Sequence, residues 1–220
     1  DRAPERMLFD GSDDKVTCGN LINGRTTITM SAWFKTSNDS QNDIIGELSG
    51  SSNVGLRIVS RGGTAGIWLQ SGNGSSGTIA VYGDSGAHRD GNWHHVVGTY
   101  DGSTLKLYFD GATTPVATAS ASSLTFNMTT GFTIGGAYPE YMNGMIDECA
   151  LWGTALTATE VAELYALGLN GNILTHSNQT NLVSYWKNEG ITDAKWIDHK
   201  GSNNGTVAGS PTLIGGNNGT

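Results

Sequence analysis

The sequence predicts an all-β fold of the sandwich or barrel class, and three observations carry that prediction. Apolar and polar residues alternate with period two in one run after another, Gly- and Asn-rich turns separate the runs at short intervals, and 32 Gly stand against 4 Pro among 220 residues. The run Thr27–Phe34 puts Ile28, Met30, Ala32 and Phe34 on one side and mostly hydroxyls on the other, as a half-buried strand requires. Further strands are predicted at Asp43–Leu48, Val54–Ser60, Gly66–Gln70, Thr78–Tyr82, Trp93–Tyr100, Thr104–Phe109, Val116–Ala119, Phe132–Gly135 and Met145–Trp152. Between Trp93–Tyr100 and Thr104–Phe109 lies Asp101-Gly102, whose Gly tolerates the positive φ of a tight hairpin. One segment breaks the rhythm. Leu156–Gly168 places Val161, Leu164, Tyr165 and Gly168 at helical intervals, with Thr157 and Glu160 as a capping box and Gly168 as a left-handed stop. After the polar run Asn170–Asn181, Leu182–Trp186 resumes strand character, and the remainder around Gly205–Gly209 reads as an extra strand pair too short to fold alone.

A chain of this length buries a core without needing disulfides or metals, and one domain is the expectation. Twelve Lys and Arg against 20 Asp and Glu give a formal net charge of −8 with no cationic cluster, which excludes nucleic acid as a partner. No apolar stretch approaches the roughly 20 residues of a membrane-spanning helix, so membrane insertion is not expected. Asp1–Arg6 lacks the apolar core of a signal peptide, and Gly215–Gly219 has the composition of a linker. Cys18 and Cys149 sit in strand-like runs, where buried free thiols are expected and one disulfide is the alternative.

Several runs, in order, carry a resemblance. They are Leu8-Phe9-Asp10-Gly11-Ser12-Asp13-Asp14-Lys15-Val16, then Ser31-Ala32-Trp33, then Asn92-Trp93-His94-His95-Val96-Val97 with Thr99-Tyr100-Asp101-Gly102-Ser103. Asn143-Gly144-Met145-Ile146-Asp147-Glu148 and Leu151-Trp152 with Ala155-Leu156-Thr157 complete the series, which resembles laminin-G-like, concanavalin A-like domains and, more faintly, pentraxins. The resemblance implies a jelly-roll β-sandwich of two curved antiparallel sheets with one short helix, binding on rim loops or the concave face. Tyr185–Gly190 and Asp198 with Gly201–Val207 are similar to the opening of such a domain, yet lie near the C-terminus. The expected organisation is one domain over residues 1–214, with a core at 7–168, strands within 181–209 packing back onto it, and 215–220 as linker or tail.

Asp10, Asp13 and Asp14 crowd into one turn, and calcium takes carboxylate and carbonyl oxygens from such turns. The resemblance implies a structural calcium held by Asp10 and Asp147, with the Gly11 carbonyl and Asp13 assisting. The bland reading is turn chemistry, since Asp caps its own backbone. His94 and His95 point to opposite faces of one strand and cannot share a metal; no His or Cys cluster has zinc spacing.

Catalysis on a glycan requires two carboxylates about 5–9.5 Å apart. The Glu-x-Asp-x-x-Glu strand pattern is missing, as are a Gly-x-Ser-x-Gly elbow and a phosphate-cradling loop, so the chain reads as non-enzymatic. Sugar recognition needs aromatic faces and planar polar groups. Tyr138, Glu140 and Tyr141 in one loop, with Tyr82 and the run His88-Arg89-Asp90 in another, are the candidates, and Trp68 is expected to face outward. Packing is the competing role for each tyrosine. The expected function is a binding module on an extracellular, cell or virion surface whose partner is a glycan or cell-surface receptor. The alternative is a purely structural module that contacts other subunits of a larger assembly.

Overall fold

Burial follows the alternation read from the sequence. In the strand Ile28–Lys35, Ile28, Met30, Ala32 and Phe34 are fully buried in one cluster, while Thr29, Ser31, Trp33 and Lys35 face the other way. The computed structural model describes residues 6–47, 54–62, 66–71, 78–121, 123–137, 140–189 and 195–215. In chain order its strands are β1 (Arg6–Asp10), β2 (Lys15–Thr17), β3 (Ile28–Lys35), β4 (Asn42–Glu47), β5 (Leu56–Arg61), β6 (Gly66–Ser71), β7 (Thr78–Tyr82), β8 (Trp93–Tyr100) and β9 (Thr104–Phe109). They continue as β10 (Ala117–Ser120), β11 (Thr133–Ile134), β12 (Gly136–Ala137), β13 (Glu140–Tyr141), β14 (Asn143–Trp152), β15 (Leu182–Trp186), β16 (Lys195–Trp196), β17 (Gly205–Ala208) and β18 (Thr212–Ile214).

These strands form a jelly-roll sandwich. One sheet runs β10-β9-β8-β3-β14-β1-β18, with β15 on the second half of β14; the other runs β16-β17-β2-β11-β4-β5-β6-β7. The main core lies between them, and its aromatic pairs come from distant parts of the chain: Phe9 meets Trp196 edge-on at 6.1 Å, and Phe132 stacks on Trp186 at 5.9 Å. Gly98 of the first sheet faces Leu69 and Ile58 of the second; a Cβ there would stand 2.6 Å from Leu69 Cδ1, so the sheets approach closely only because that side chain is missing. The predicted strand at Phe132–Gly135 shrinks to β11, since Gly135 has φ +83° and lies against the Phe9 ring. Leu48 of the predicted Asp43–Leu48 run lies outside the described residues.

The helix α1 (Ala158–Leu167) covers the outer face of the first sheet and makes a second, smaller core with Val97, Tyr108, Ala150, Trp152 and Tyr185. Its start is the expected capping box: Thr157 Oγ1 accepts from Glu160 N at 3.3 Å, and Glu160 Oε2 accepts from Thr157 N at 2.7 Å. Gly168 follows with φ +74°. Trp33 lies on this outer face, stacked against Tyr165 at 5.5 Å, and not between the sheets. The C-terminal strands interleave with the N-terminal ones: β18 pairs with β1, and β17 with β2. Cys18 and Cys149 are both buried free thiols.

Candidate functional site

Alternation along β5 sends Leu56 and Ile58 into the core and Arg57, Val59 and Arg61 to the outside of the second sheet. On β6 the same rule turns Ile67 and Leu69 inward and Trp68 and Gln70 outward. Register then aligns these side chains. Asp43, Val59, Trp68 and Val81 form one row across β4 to β7, and Gly46, Arg57 and Gln70 form the next. The second row continues through Thr133, Thr17 and Thr206, so hydroxyls extend it across the sheet. At about 4.8 Å per strand the row from Thr206 to Gln70 spans about 24 Å, the length of an oligosaccharide and not of a single sugar. The helix packs on the other sheet. The hairpin β12–β13 packs on β4 and walls one side of the face.

Arg57 organises this face. Its Nη1 donates to both Asp43 oxygens at 3.1 and 3.0 Å and to Glu140 Oε2 at 2.5 Å, while Nε and Nη2 donate to Gln70 Oε1 at 3.2 and 3.1 Å. Position 46, opposite Arg57 in register, is Gly: its φ is +142°, and a Cβ would stand 2.5 Å from Arg57 Cα, so β4 and β5 approach closely there only without a side chain. Burial holds the Asp43 carboxyl up to about 7 even with the Arg57 cation beside it. Arg61 lies flat on Trp68, its guanidinium carbon 4.4 Å from the ring centre.

Of the residues singled out in the sequence, the structure gathers some and disperses others. Glu140 belongs to the Arg57 cluster and Tyr141 is half-buried beside it on β13, while Tyr138 lies outside the described residues. Four of the expected ligand-binding residues are engaged elsewhere. Tyr82 points inward and packs on Phe109 at 5.3 Å. His88 is fully buried, with Nδ1 2.5 Å from Asp84 Oδ2 and Nε2 2.7 Å from Ser60 Oγ, so no ring nitrogen is left for a ligand. Asp90 caps its own turn and receives His94, and Arg89 pairs with Asp39 and donates to the Arg61 carbonyl.

The acidic turn is also rearranged. Asp10, Asp13 and Asp14 each bring a carboxylate oxygen within 4.8 Å of the others. Asp14 is fully buried; its Oδ2 accepts from Asp10 N at 3.0 Å, while its Oδ1 has no well-formed hydrogen bond, although the Ser210 amide lies near enough to favour the carboxylate. Burial raises the Asp14 carboxyl above its usual range. Gly11 supplies the turn with φ +84°. Asp147 does not join this group. Asp10 pairs with Asn143, so Asp147 lies four residues farther along β14, about 13 Å away at about 3.3 Å per residue. Its Oδ1 accepts from the Asn188 and Glu148 amides at 2.8 Å, and its Oδ2 ion-pairs with Arg6.

Asp84, His88 and Ser60 have the connectivity of a nucleophilic triad, with a neutral ring donating from Nδ1 to Asp84 and accepting at Nε2 from Ser60. Ser60 and His88 are both 0% exposed, so no substrate reaches the hydroxyl; the chain of bonds ties the 84–90 loop to β5. His95 is likewise buried against Ser31 at 2.9 Å, and burial lowers its pKa to about 4. A cleft of about 200 Å³ opens beside Lys35, Thr36, Asn143 and Met145, but no aromatic ring lines it.

Sequence reasoning named Trp68 and Glu140 but missed Arg57, Arg61 and Gln70. The alternation Leu56-Arg57-Ile58 contained the signal, yet only the β4–β5–β6 register shows which outward residues meet. A search of curated proteins finds none that matches. Among solved structures, similar folds include a putative carbohydrate-binding protein from Bacteroides ovatus (TM-score 0.69, 17% identity, 97% of this chain and 60% of that one). A heptameric SAP-like pentraxin from Limulus polyphemus (0.60, 15%, 97% and 94%) and domains LG4-5 of the mouse laminin α1 chain (0.53, 18%, 68% and 41%) share it too. The chain thus spans about 60% of the Bacteroides protein's length, and at these identities the likeness concerns the fold. The sequence profile of the concanavalin A-like lectin/glucanases superfamily matches residues 10–162, and the chain belongs to that superfamily.

Proposed function

We propose that this chain is a non-catalytic glycan-binding module of an extracellular or surface-exposed protein, and that its binding surface is the outer face of the second sheet. One observation carries the reading: Trp68, Gln70, Arg57 and Glu140 converge beside a row of threonine hydroxyls on a face that no helix covers among the described residues. An aromatic ring, planar amide and guanidinium groups and a carboxylate are the groups that orient sugar hydroxyls. The Bacteroides neighbour, described as a putative carbohydrate-binding protein, supports it. The test is a glycan array followed by calorimetry. Micromolar binding that falls about tenfold or more in both Trp68→Ala and Gln70→Ala, with melting temperatures within a few degrees of the parent, is expected. No binding to any glycan, with stable oligomers in solution, would overturn this reading in favour of a subunit-contact role.

The oxygen-rich turn fits a hard cation. We propose that Asp10, Asp13 and Asp14 hold a calcium ion, in place of the Asp10–Asp147 pair that the family resemblance implied. The support is the convergence of three carboxylates within 4.8 Å, with Asp14 buried and its Oδ1 short of a well-formed hydrogen bond. Chelator is expected to lower the melting temperature by several degrees, and Asp14→Asn to abolish that response; an equal midpoint with and without excess chelator sinks the proposal.

A further inference from the structure

The face that Arg57 organises contains a second guanidinium with a different electrostatic position. Arg57 is already committed: two carboxylates accept from its Nη1, and the Gln70 amide oxygen from its Nε and Nη2. Arg61, one residue beyond Val59 on the same side of β5, has no hydrogen-bond acceptor or ion-pair partner for its guanidinium among the described residues, and its Nε is shut off from water. What holds it is Trp68, against which the group lies flat. That arrangement fixes the plane of the fork and leaves its in-plane N–H donors unused, which is the geometry that bidentate recognition of a carboxylate requires. The surrounding charges sharpen the point. Asp43 and Glu140 are both committed to Arg57, so neither neutralises Arg61 at contact distance.

We propose that the module selects acidic glycans, with Arg61 receiving the carboxylate of a uronic or sialic acid unit whose hydroxyls face Gln70, while neighbouring units of the oligosaccharide reach along the row toward the threonines. The inference rests on the glycan-binding reading and adds the chemical class of the sugar. Val81, next to Trp68 in register and 43% exposed, supplies apolar surface beside the anion site, as a pyranose ring with one hydrophobic face needs. The chain's overall charge of −8 makes the choice more pointed, because the long-range field opposes an anionic ligand and only a local, preorganised cation offsets it.

The experiment titrates the intact chain with a panel of uronate-bearing and sialylated oligosaccharides, each paired with its carboxyl-reduced, uncharged counterpart. Expected is a preference of about tenfold or more for the acid member of at least one pair, the range of a charged hydrogen-bonded pair. Arg61→Gln is expected to erase that preference, lowering affinity for the acid member about tenfold more than for its reduced counterpart, and Arg61→Lys to keep only part of it. Equal binding of acid and reduced members, or a preference that survives in Arg61→Gln, overturns the acidic-sugar inference and leaves the glycan reading standing. Failure of every acidic and neutral sugar to bind overturns both.

Discussion

Asp43 shows how one buried carboxyl sets the behaviour of the site. Its folded pKa is raised from 3.8 to about 7, chiefly by burial. A carboxyl raised on folding stabilises the protein most when protonated, so its contribution is full below pH 3.8 and is lost as pH climbs through 7. Glu148, buried next to Tyr185 and Lys187 and also lifted to about 7, acts in the same direction. Asp43→Asn keeps the shape and removes the titration. Urea unfolding is therefore expected to show the parent losing on the order of 5 kcal/mol between pH 5 and 8, about half from each carboxyl. The variant is expected to lose clearly less over that range, with Glu148 accounting for the remainder; identical slopes would remove Asp43 from this account. None of this was legible in the sequence, because Asp43 reads there as an ordinary strand-start residue until the Gly46 gap and the hairpin carrying Glu140 bury it.

At the scale of elements, α1 is tied down by more than its cap. Glu160 accepts from the Thr157 amide and hydroxyl and, through Oε1, from Asn178 Nδ2 at 2.6 Å, while its carbonyl meets His176 Nε2 at 2.9 Å. The helix start and the 176–178 turn are thus one unit over the outer core. Glu160→Ala is expected to cost about 1–2 kcal/mol in chemical denaturation, more than the roughly 1 kcal/mol of Thr157→Ala, because only the former also frees Asn178; equal losses would mean that the bond to Asn178 contributes nothing. The capping box was visible in the sequence because its parts are three residues apart. The role of Asn178 was not, being eighteen residues from Glu160. The same distinction separates the Asp101-Gly102 hairpin, a local signal that the β8–β9 pairing matches, from the acidic turn. Asp10 and Asp147 were matched through family likeness, and only the β1–β14 register shows them to be too far apart.

For the whole molecule, alternation and turn spacing were enough to specify a sandwich or barrel and most strand positions, the family resemblance supplied the two layers, and neither gave the order of strands within each layer. That order decides which side chains meet. It is the adjacency of β4, β5 and β6 that brings a carboxyl, two guanidinium groups, an amide and an indole onto one surface. It is likewise the adjacency of β1 to β18 and β2 to β17 that sets the 209–210 crossing beside the acidic turn, where a Cβ on Gly209 would press on Asp14 Oδ1 at 2.3 Å. This interleaving governs synthesis as well as shape. β1 and β2 each lack one neighbour until β18 and β17, the last two of the described strands, have been made. Until then each of the two presents an open sheet edge, and chaperones that shield such edges have longest to act on these strands.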